Sequence, residues 1–221
     1  MKPKIYLIAA ALLLLAAFTS CKKDDDKKNV GNTDYVMTMT SQKEGYARII
    51  LRGQGTITID WGDDTGIESV TFPESSYRSA FEHYYSGKND RTITITGHVT
   101  RLDCPYNQLK SLDVSKNPAL IWMECYGNQL TNLKVNGAIA LTNLLCDSNQ
   151  LTGLDVSGAT ALEELNCRSN QFTAAGLNAL FDTLHDNIVD YGGKNVYIGD
   201  NEGTNSCSPS IAIEKRWKVN Y

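Results

Sequence analysis

The sequence predicts a mainly β chain with a minor α part: a small β-sandwich, then a solenoid of short stacked coils, then an α/β capping region. Three observations carry this reading. Residues 34–97 alternate apolar and polar side chains with period two, as half-buried strands require. From Val99 to Phe172 one phrase is written four times at a fixed spacing of 21 residues, and a period of about 20–50 residues marks stacked units. After Phe172 the pattern turns to apolar side chains at helical spacing.

The chain has 221 residues, enough for one or two domains with a real core. Its formal net charge of −4, with no basic patch interleaved with aromatics, argues against a nucleic-acid partner.

Residues 1–20 read as a secretory signal. Lys2 and Lys4 form a charged start, and the apolar run from Ile5 to Phe18 is shorter than a membrane-spanning helix needs. Phe18-Thr19-Ser20-Cys21 resembles the lipobox of bacterial lipoproteins, which implies acylation at Cys21; an ordinary signal with an incidental cysteine is the alternative. Residues 21–33, rich in Lys and Asp and poor in apolar side chains, read as a tether. The acidic triplet behind Cys21 is similar to the surface-export signal of some outer-membrane lipoproteins. That resemblance implies an outer-membrane, lipid-anchored and surface-exposed protein, with a periplasm-facing anchor as the other possibility.

In residues 34–97, TITIDW (Thr56 to Trp61) and TITIT (Thr92 to Thr96) put Ile on one face and Thr on the other. YVMTMT, ARIIL and SVTF are three further strands, separated by turn residues. Strands this short and this closely spaced suggest a sandwich. Trp61-Gly62-Asp63-Asp64, then His83 and Tyr85, then the TITIT strand, together resemble the PKD-type Ig-like domain of bacterial surface proteins, which implies a spacer or adhesion module. Asp60, Asp63, Asp64 and Glu68 allow a calcium reading, but Gly62 stands where an EF-hand places a ligand, and Asp-capped turns account for the acids. No metal or other cofactor is expected.

Residues 98–172 hold the four copies, VTRLDCPYNQL, LIWMECYGNQL, LTNLLCDSNQL and LEELNCRSNQF. Each fits the leucine-rich repeat template with Cys in the third apolar slot. One copy cannot bury its own apolar face, so neighbours must stack on it. The columns Leu120, Met123, Cys125, Leu130, Leu133 and Val135, with their counterparts 21 residues on, point inward. Cys104, Cys125, Cys146 and Cys167 would form a ladder about 4.8 Å per step, which cannot converge on one zinc ion. They read as buried free thiols. Asn107, Asn128, Asn149 and Asn170 read as scaffold amides that satisfy backbone groups of their own coil and the next.

Alternation sends a variable set of side chains outward, and Arg101, Trp122, Glu124, Tyr126, Leu145 and Arg168 are the candidate ligand-binding residues. Trp122 and Tyr126 beside Leu145 form an apolar patch edged by charge, the composition of interface hot spots; an idle sheet face is the plainer reading.

Residues 173–221 form the cap. Leu177, Leu180, Phe181 and Leu184 lie on one helix face, Val196 and Ile198 turn inward with Asn201 in the Asn slot, SPSIAIEKR starts a second helix at Pro209, and WKVN gives a last strand. This ending resembles that of bacterial surface leucine-rich repeat proteins with the same period. The loop around Asn201, and His185, are expected at the surface, and the state of Cys207 is open.

No nucleophile elbow, zinc-protease helix, phosphate loop or dinucleotide fingerprint occurs, and no enzyme is expected. The expected function is adhesion or binding of a macromolecule, protein or glycan, at the cell surface, with the membrane reached only through the lipid anchor. Carbohydrate binding in a surface uptake system and a ligandless spacer are the alternatives.

Overall fold

The computed structural model describes residues 35–73, 77–189 and 193–221. Residues 1–20 and 21–33, read from the sequence as a signal and a tether, lie outside the described residues, and Cys21 with them. The protein is mainly β, with twelve strands and two helices among the described residues.

The period-two region supplies β1 (Val36–Ser41), β2 (Gly45–Asp60), β3 (Ile67–Phe72), β4 (Ser79–Tyr85) and β5 (Arg91–Asp103). Two runs expected as separate strands, ARIIL and TITIDW, are halves of the single strand β2. The FEHYY run, read from sequence only as part of a motif, is β4. Alternation does set the buried face: Met37, Met39, Ile49, Leu51, Ile57, Ile59, Ile93 and Ile95 are all buried.

Strands β2 and β5 each serve two groups of neighbours. The first half of β5 pairs with β1 and with residues 58–60 of β2, and its second half pairs with residues 50–54 of β2. Between the halves the register slips. Arg52 faces Arg101 while Gly53 faces Val99, so Thr100 is left over as a bulge. Gly53 is required there, because a Cβ would fall 2.2 Å from the carbonyl oxygen of His98. A one-residue bulge reverses which side chains face inward. Before it Ile95 and Val99 are buried; after it Leu102 and Cys104 are.

The reversal hands β5 over to the 21-residue period. Along the rest of the chain run β6 (Leu109–Asp113), β7 (Trp122–Glu124), β8 (Asn132–Lys134), β9 (Asn143–Leu145), β10 (Glu164–Asn166), β11 (Lys194–Tyr197) and β12 (Trp217–Asn220). Strands β5, β7, β9, β10, β11 and β12 pair in parallel in that order, with Leu102, Met123, Leu144, Leu165, Val196 and Val219 in one register column. A second parallel pair, β6 and β8, continues from β1. Strand β5 thus passes through position 97/98, where the sequence reading divides the chain, and one apolar core runs from Met37 to Trp217.

Cys104, Cys125, Cys146 and Cys167 are free and wholly buried in the next inward column. Burial pushes all four thiols up, Cys167 to about 12, so they pack as small apolar groups.

The Asn column ties each segment to the one before it. Asn128 Oδ1 accepts from the amides of Asn107 and Leu109, while its Nδ2 donates to the carbonyls of Cys104 and Cys125. Asn149, Asn170 and Asn201 repeat the arrangement. The direction corrects the sequence reading: the amide reaches back to the preceding segment, where the next one was expected. At the start of the series Asn107 finds β2 instead, donating to Arg48 O and accepting from Arg48 N.

Helix α1 (Ala174–Thr183) buries Leu177, Leu180 and Phe181 and is capped by Thr173, whose Oγ1 accepts from Gly176 N. Helix α2 (Ser210–Glu214) begins after Pro209, which holds the cap position just outside it. His185, expected at the surface, is half-buried: its Nε2 meets Leu162 O at 2.7 Å and its ring packs edge-on against Trp217. Asn201 is buried as well, because its amide belongs to the ladder. Among the described residues no helix is long and apolar enough to cross a membrane.

Candidate functional site

The bulge at Thr100 decides what the outward face of the parallel strands carries. Arg101, Trp122, Asn143 and Glu164 share one register column, and Asp103, Glu124, Leu145 and Asn166 share the next. Neighbours in these columns bond to each other. Arg101 Nη2 donates to Glu124 Oε1 at 2.6 Å, Arg101 Nε to Asp103 Oδ2 at 2.9 Å, and the indole of Trp122 to Glu124 Oε1 at 2.8 Å.

This network changes the role of Trp122. The Arg101 guanidinium lies over its ring, 4.6 Å from the centroid, so Trp122 is half-buried beneath an arginine and is not the open platform the sequence suggested. Asp103 points to the same face, yet it is only 4 % exposed. Burial holds its carboxyl above the usual range, with Arg101 and Arg78 acting in the opposite direction.

Toward the N-terminal end of this face lies a cleft of about 520 Å³. Three sequence candidates, Arg101, Glu124 and Tyr126, line it. So do Tyr46 and Arg48 of β2, Arg78, and the Pro105-Tyr106-Asn107 turn. Sequence reasoning missed β2 because nothing before folding places it next to the first copy. The available signal was Asn107, whose scaffold role demands a backbone partner on its N-terminal side. The turn itself is held by Ser41 Oγ, which donates to Asn107 O at 2.8 Å, and by Lys43 Nζ, which donates to Tyr106 O at 3.0 Å.

Tyr46, Tyr106 and Tyr126 line the cleft, and Tyr84 lies beside it against Tyr46. Tyr46 faces Tyr84 across β2 and β4, with ring centroids 5.2 Å apart, and Tyr106 meets Tyr126 edge-on at 5.4 Å. Tyr46, Tyr84 and Tyr106 are 68%, 59% and 65% exposed. Folded domains do not need exposed aromatics clustered this way, and contiguous patches of them mark interaction sites. Four basic side chains, Lys43, Arg48, Arg78 and Arg101, line the cleft against two acidic ones, Asp103 and Glu124. The chain as a whole carries −4, so the cleft runs against the charge of the protein.

The remaining sequence candidates lie elsewhere. Leu145 sits one strand further along, paired with Glu124 and Asn166. Arg168 is at the far end of the face, stacked over Tyr197 at 5.0 Å and donating to Tyr221 O at 3.0 Å.

The acidic loop after Trp61 is a set of local caps. Asp60 Oδ1 accepts from Gly62 N, Asp63 Oδ1 from the Thr65 hydroxyl, and Glu68 Oε1 from the Trp61 indole. Asp63 Oδ2 also meets His83 Nε2 at 2.6 Å, and the His83 ring stacks on Trp61 at 5.0 Å. Burial raises the Asp63 carboxyl, but the bonds from Thr65 and His83 outweigh it and the group sits below its ordinary value. Compared with known proteins, the chain matches no family model and no curated protein.

Proposed function

We propose that this protein is a non-catalytic, lipid-anchored binding protein of the cell surface, held by Cys21 and recognising a macromolecular ligand on the outward face of its parallel strands. In this reading residues 98–172 are a leucine-rich repeat solenoid, supported by the 21-residue register and the Asn ladder. Residues 34–97 are a PKD-like sandwich that also serves as its N-terminal cap, and residues 173–221 close the other end.

One observation carries the binding role. Arg101, Glu124 and Tyr126 converge with Tyr46, Arg48 and Tyr106 on a single cleft, so the variable columns and the β2 strand make one surface. The carboxylates there are engaged rather than poised for chemistry, since Arg101 donates to both Asp103 and Glu124. A protein ligand and a glycan both fit an aromatic face, and the row of exposed tyrosines favours the glycan. A glycan array run with the full chain and with a Tyr46→Ala/Tyr126→Ala variant tests the site. Binding by the parent that the variant loses while keeping its melting temperature supports it; equal binding by both removes the cleft from the function.

A further inference from the structure

The geometry points to an anionic polysaccharide, a chain of carboxylate-bearing sugars, as the ligand of the tyrosine row. This rests on the proposed glycan-binding role of the cleft and specifies the chemistry of the glycan.

Two tyrosine pairs, Tyr84 with Tyr46 and Tyr106 with Tyr126, stand on neighbouring segments, and three of the four rings line one cleft. Tyr84 and Tyr46 are cross-strand partners. Ile50 faces Asp103 in the β2–β5 ladder, and the Arg48 backbone bonds the Asn107 amide, so Tyr46 stands next to the Tyr106 turn. Tyr106 then meets Tyr126. Three strand steps of about 4.8 Å give a track about 14 Å long running across the strands. A linear oligosaccharide fits such a track, because each sugar offers a C–H face to an aromatic ring and hydroxyls to its rim.

A peptide fits it poorly. Extended peptides bind largely by adding main-chain hydrogen bonds to a free sheet edge, and the floor of this cleft has none to give. Cys104 N donates to Glu124 O, Tyr106 N to Tyr126 O, and the Arg48 amide and carbonyl are both bonded to Asn107. Side chains are what the cleft has to offer.

The charge selects the sugar. Arg101 is committed to Asp103 and Glu124, and Lys43 to the Tyr106 carbonyl. Among the described residues Arg48 and Arg78 are the remaining cations of the cleft, Arg78 also close enough to Asp103 to act on its carboxyl. Arg48 pairs with Glu82 at 3.3 Å, but both side chains are more than half exposed, and such surface pairs exchange readily for a better partner. Arg78 is exposed on the cleft wall. Guanidinium groups bind carboxylates through two parallel hydrogen bonds, so a sugar with a carboxylate matches the pair where a neutral one does not.

The test is binding of the full chain to three polymers by calorimetry: alginate (a polyuronate), dextran (a neutral glycan) and poly-L-glutamate (an acidic polypeptide). Alginate is expected to bind, more weakly as salt rises. Arg78→Ala and Arg48→Ala each weaken it about tenfold, with unchanged melting temperature, as loss of a charge-assisted bond implies. Dextran bound as tightly as alginate, with Arg78→Ala indifferent, overturns the anionic preference and leaves the glycan-binding role standing. Poly-L-glutamate bound in place of alginate overturns the sugar assignment. Silence toward all three overturns this inference, while the glycan array with the double tyrosine variant judges the broader role on its own.

Discussion

The Tyr106 ring occupies the space that a side chain on Gly127 would fill: a Cβ there would lie 2.3 Å from Tyr106 Cε1. Both residues have positive φ, 56° and 65°, as do Ser148, Ser169 and Asp200 at the equivalent turns. Small or polar residues suit that backbone; a tyrosine does not, at a cost of about 1–2 kcal/mol. An exposed aromatic held in an unfavourable conformation is where function is expected to oppose stability. Tyr106→Asn should therefore leave the unfolding free energy within about 1 kcal/mol of the parent, or raise it. Binding of the proposed glycan ligand should fall about tenfold, the scale of one lost stacking contact. Paired urea melts and binding isotherms read both quantities. A variant that loses stability and keeps its ligand would make Tyr106 a packing residue.

The Asn column carries the opposite expectation. Asn149 accepts from Leu130 N and donates to the carbonyls of Cys125, Cys146 and Asp147, all at 3.0–3.1 Å. Asn149→Ala leaves buried groups unpaired in two neighbouring segments, at about 1–3 kcal/mol each, so a total loss near 4 kcal/mol is expected. Asn149→Asp should be no better, since a carboxylate accepts but cannot donate to the carbonyls. Urea unfolding measures both. A loss under about 1 kcal/mol in Asn149→Ala would mean that water replaces the amide.

What was legible in the sequence follows from this contrast. The inward columns and the Asn ladder repeat because every segment meets the same neighbours, so identity at fixed spacing reports shared packing. The cleft could not be read that way. Tyr46 and Tyr84 come from strands that do not share the period, and they reach Tyr106 only through the β2–β5 pairing. Trp122 looked like the centre of a binding patch because sequence shows no partner for it. Folding supplies one, the Arg101 guanidinium over its ring. In the sequence only the repeat column links Arg168 and Leu145 to it, and column position does not fix distance along the face.

Titration separates two aspartates. Burial holds Asp103 above its ordinary value, so the fold favours its protonated form. Its contribution is complete below the unfolded value of about 3.9 and is lost as pH rises through the folded one. Asp113 is also raised by burial, but the Ser115 hydroxyl and amide, with Lys134, pull it below the ordinary range. Its contribution is present above about 3.9 and is lost as pH falls through the folded value. Stability of Asp103→Asn relative to the parent should therefore improve as pH rises from acid toward neutral, whatever constant offset comes from the altered Arg101 pairing. Asp113→Asn should be worse than the parent near neutral pH, and the deficit should vanish in acid. Chemical denaturation across that range reads the slopes, and equal slopes for the two variants would contradict the assignment.

The thiols give a chemical test of the core. Cys104, Cys125, Cys146, Cys167 and Cys207 are all free and all shifted up by burial, but the first four are wholly buried whereas Cys207 is partly exposed and bonded only weakly, to Thr204 O at 3.5 Å. Since the reagent must reach the sulfur and the thiolate is the reactive species, an alkylating reagent added to the folded protein should modify Cys207 first among these five. The other four should react together, only on unfolding. Mass spectrometry of peptides from a time course shows the order. Early modification of any of the four, or a disulfide joining two of them, would be incompatible with the packed column.

The bulge at Thr100 is the point on which the whole outward face depends. Thr100 has no partner in β2, though its carbonyl accepts from Ile121 N at 2.8 Å and its hydroxyl donates to Arg52 O at 3.3 Å. What matters is the extra residue more than its side chain. Thr100→Ala forfeits one half-buried hydrogen bond and should cost about 1 kcal/mol. Deleting residue 100 would only straighten the ladder, with Leu102 and Cys104 still inward; inserting one residue after Thr100 forces a choice. If β5 keeps its pairing with β1 and its one-residue bulge, the alternation carries Leu102 and Cys104 outward and turns Arg101 and Asp103 into the core. Two buried charges without their outward partners cost several kcal/mol, a large part of the roughly 5–15 kcal/mol that stabilises a domain. The insertion variant should therefore lack a cooperative thermal transition while Thr100→Ala retains one. An insertion variant that melts cooperatively and still binds its ligand would show that the slip between β2 and β5 can be absorbed elsewhere, and the bulge would lose its role in aiming Arg101 at the cleft.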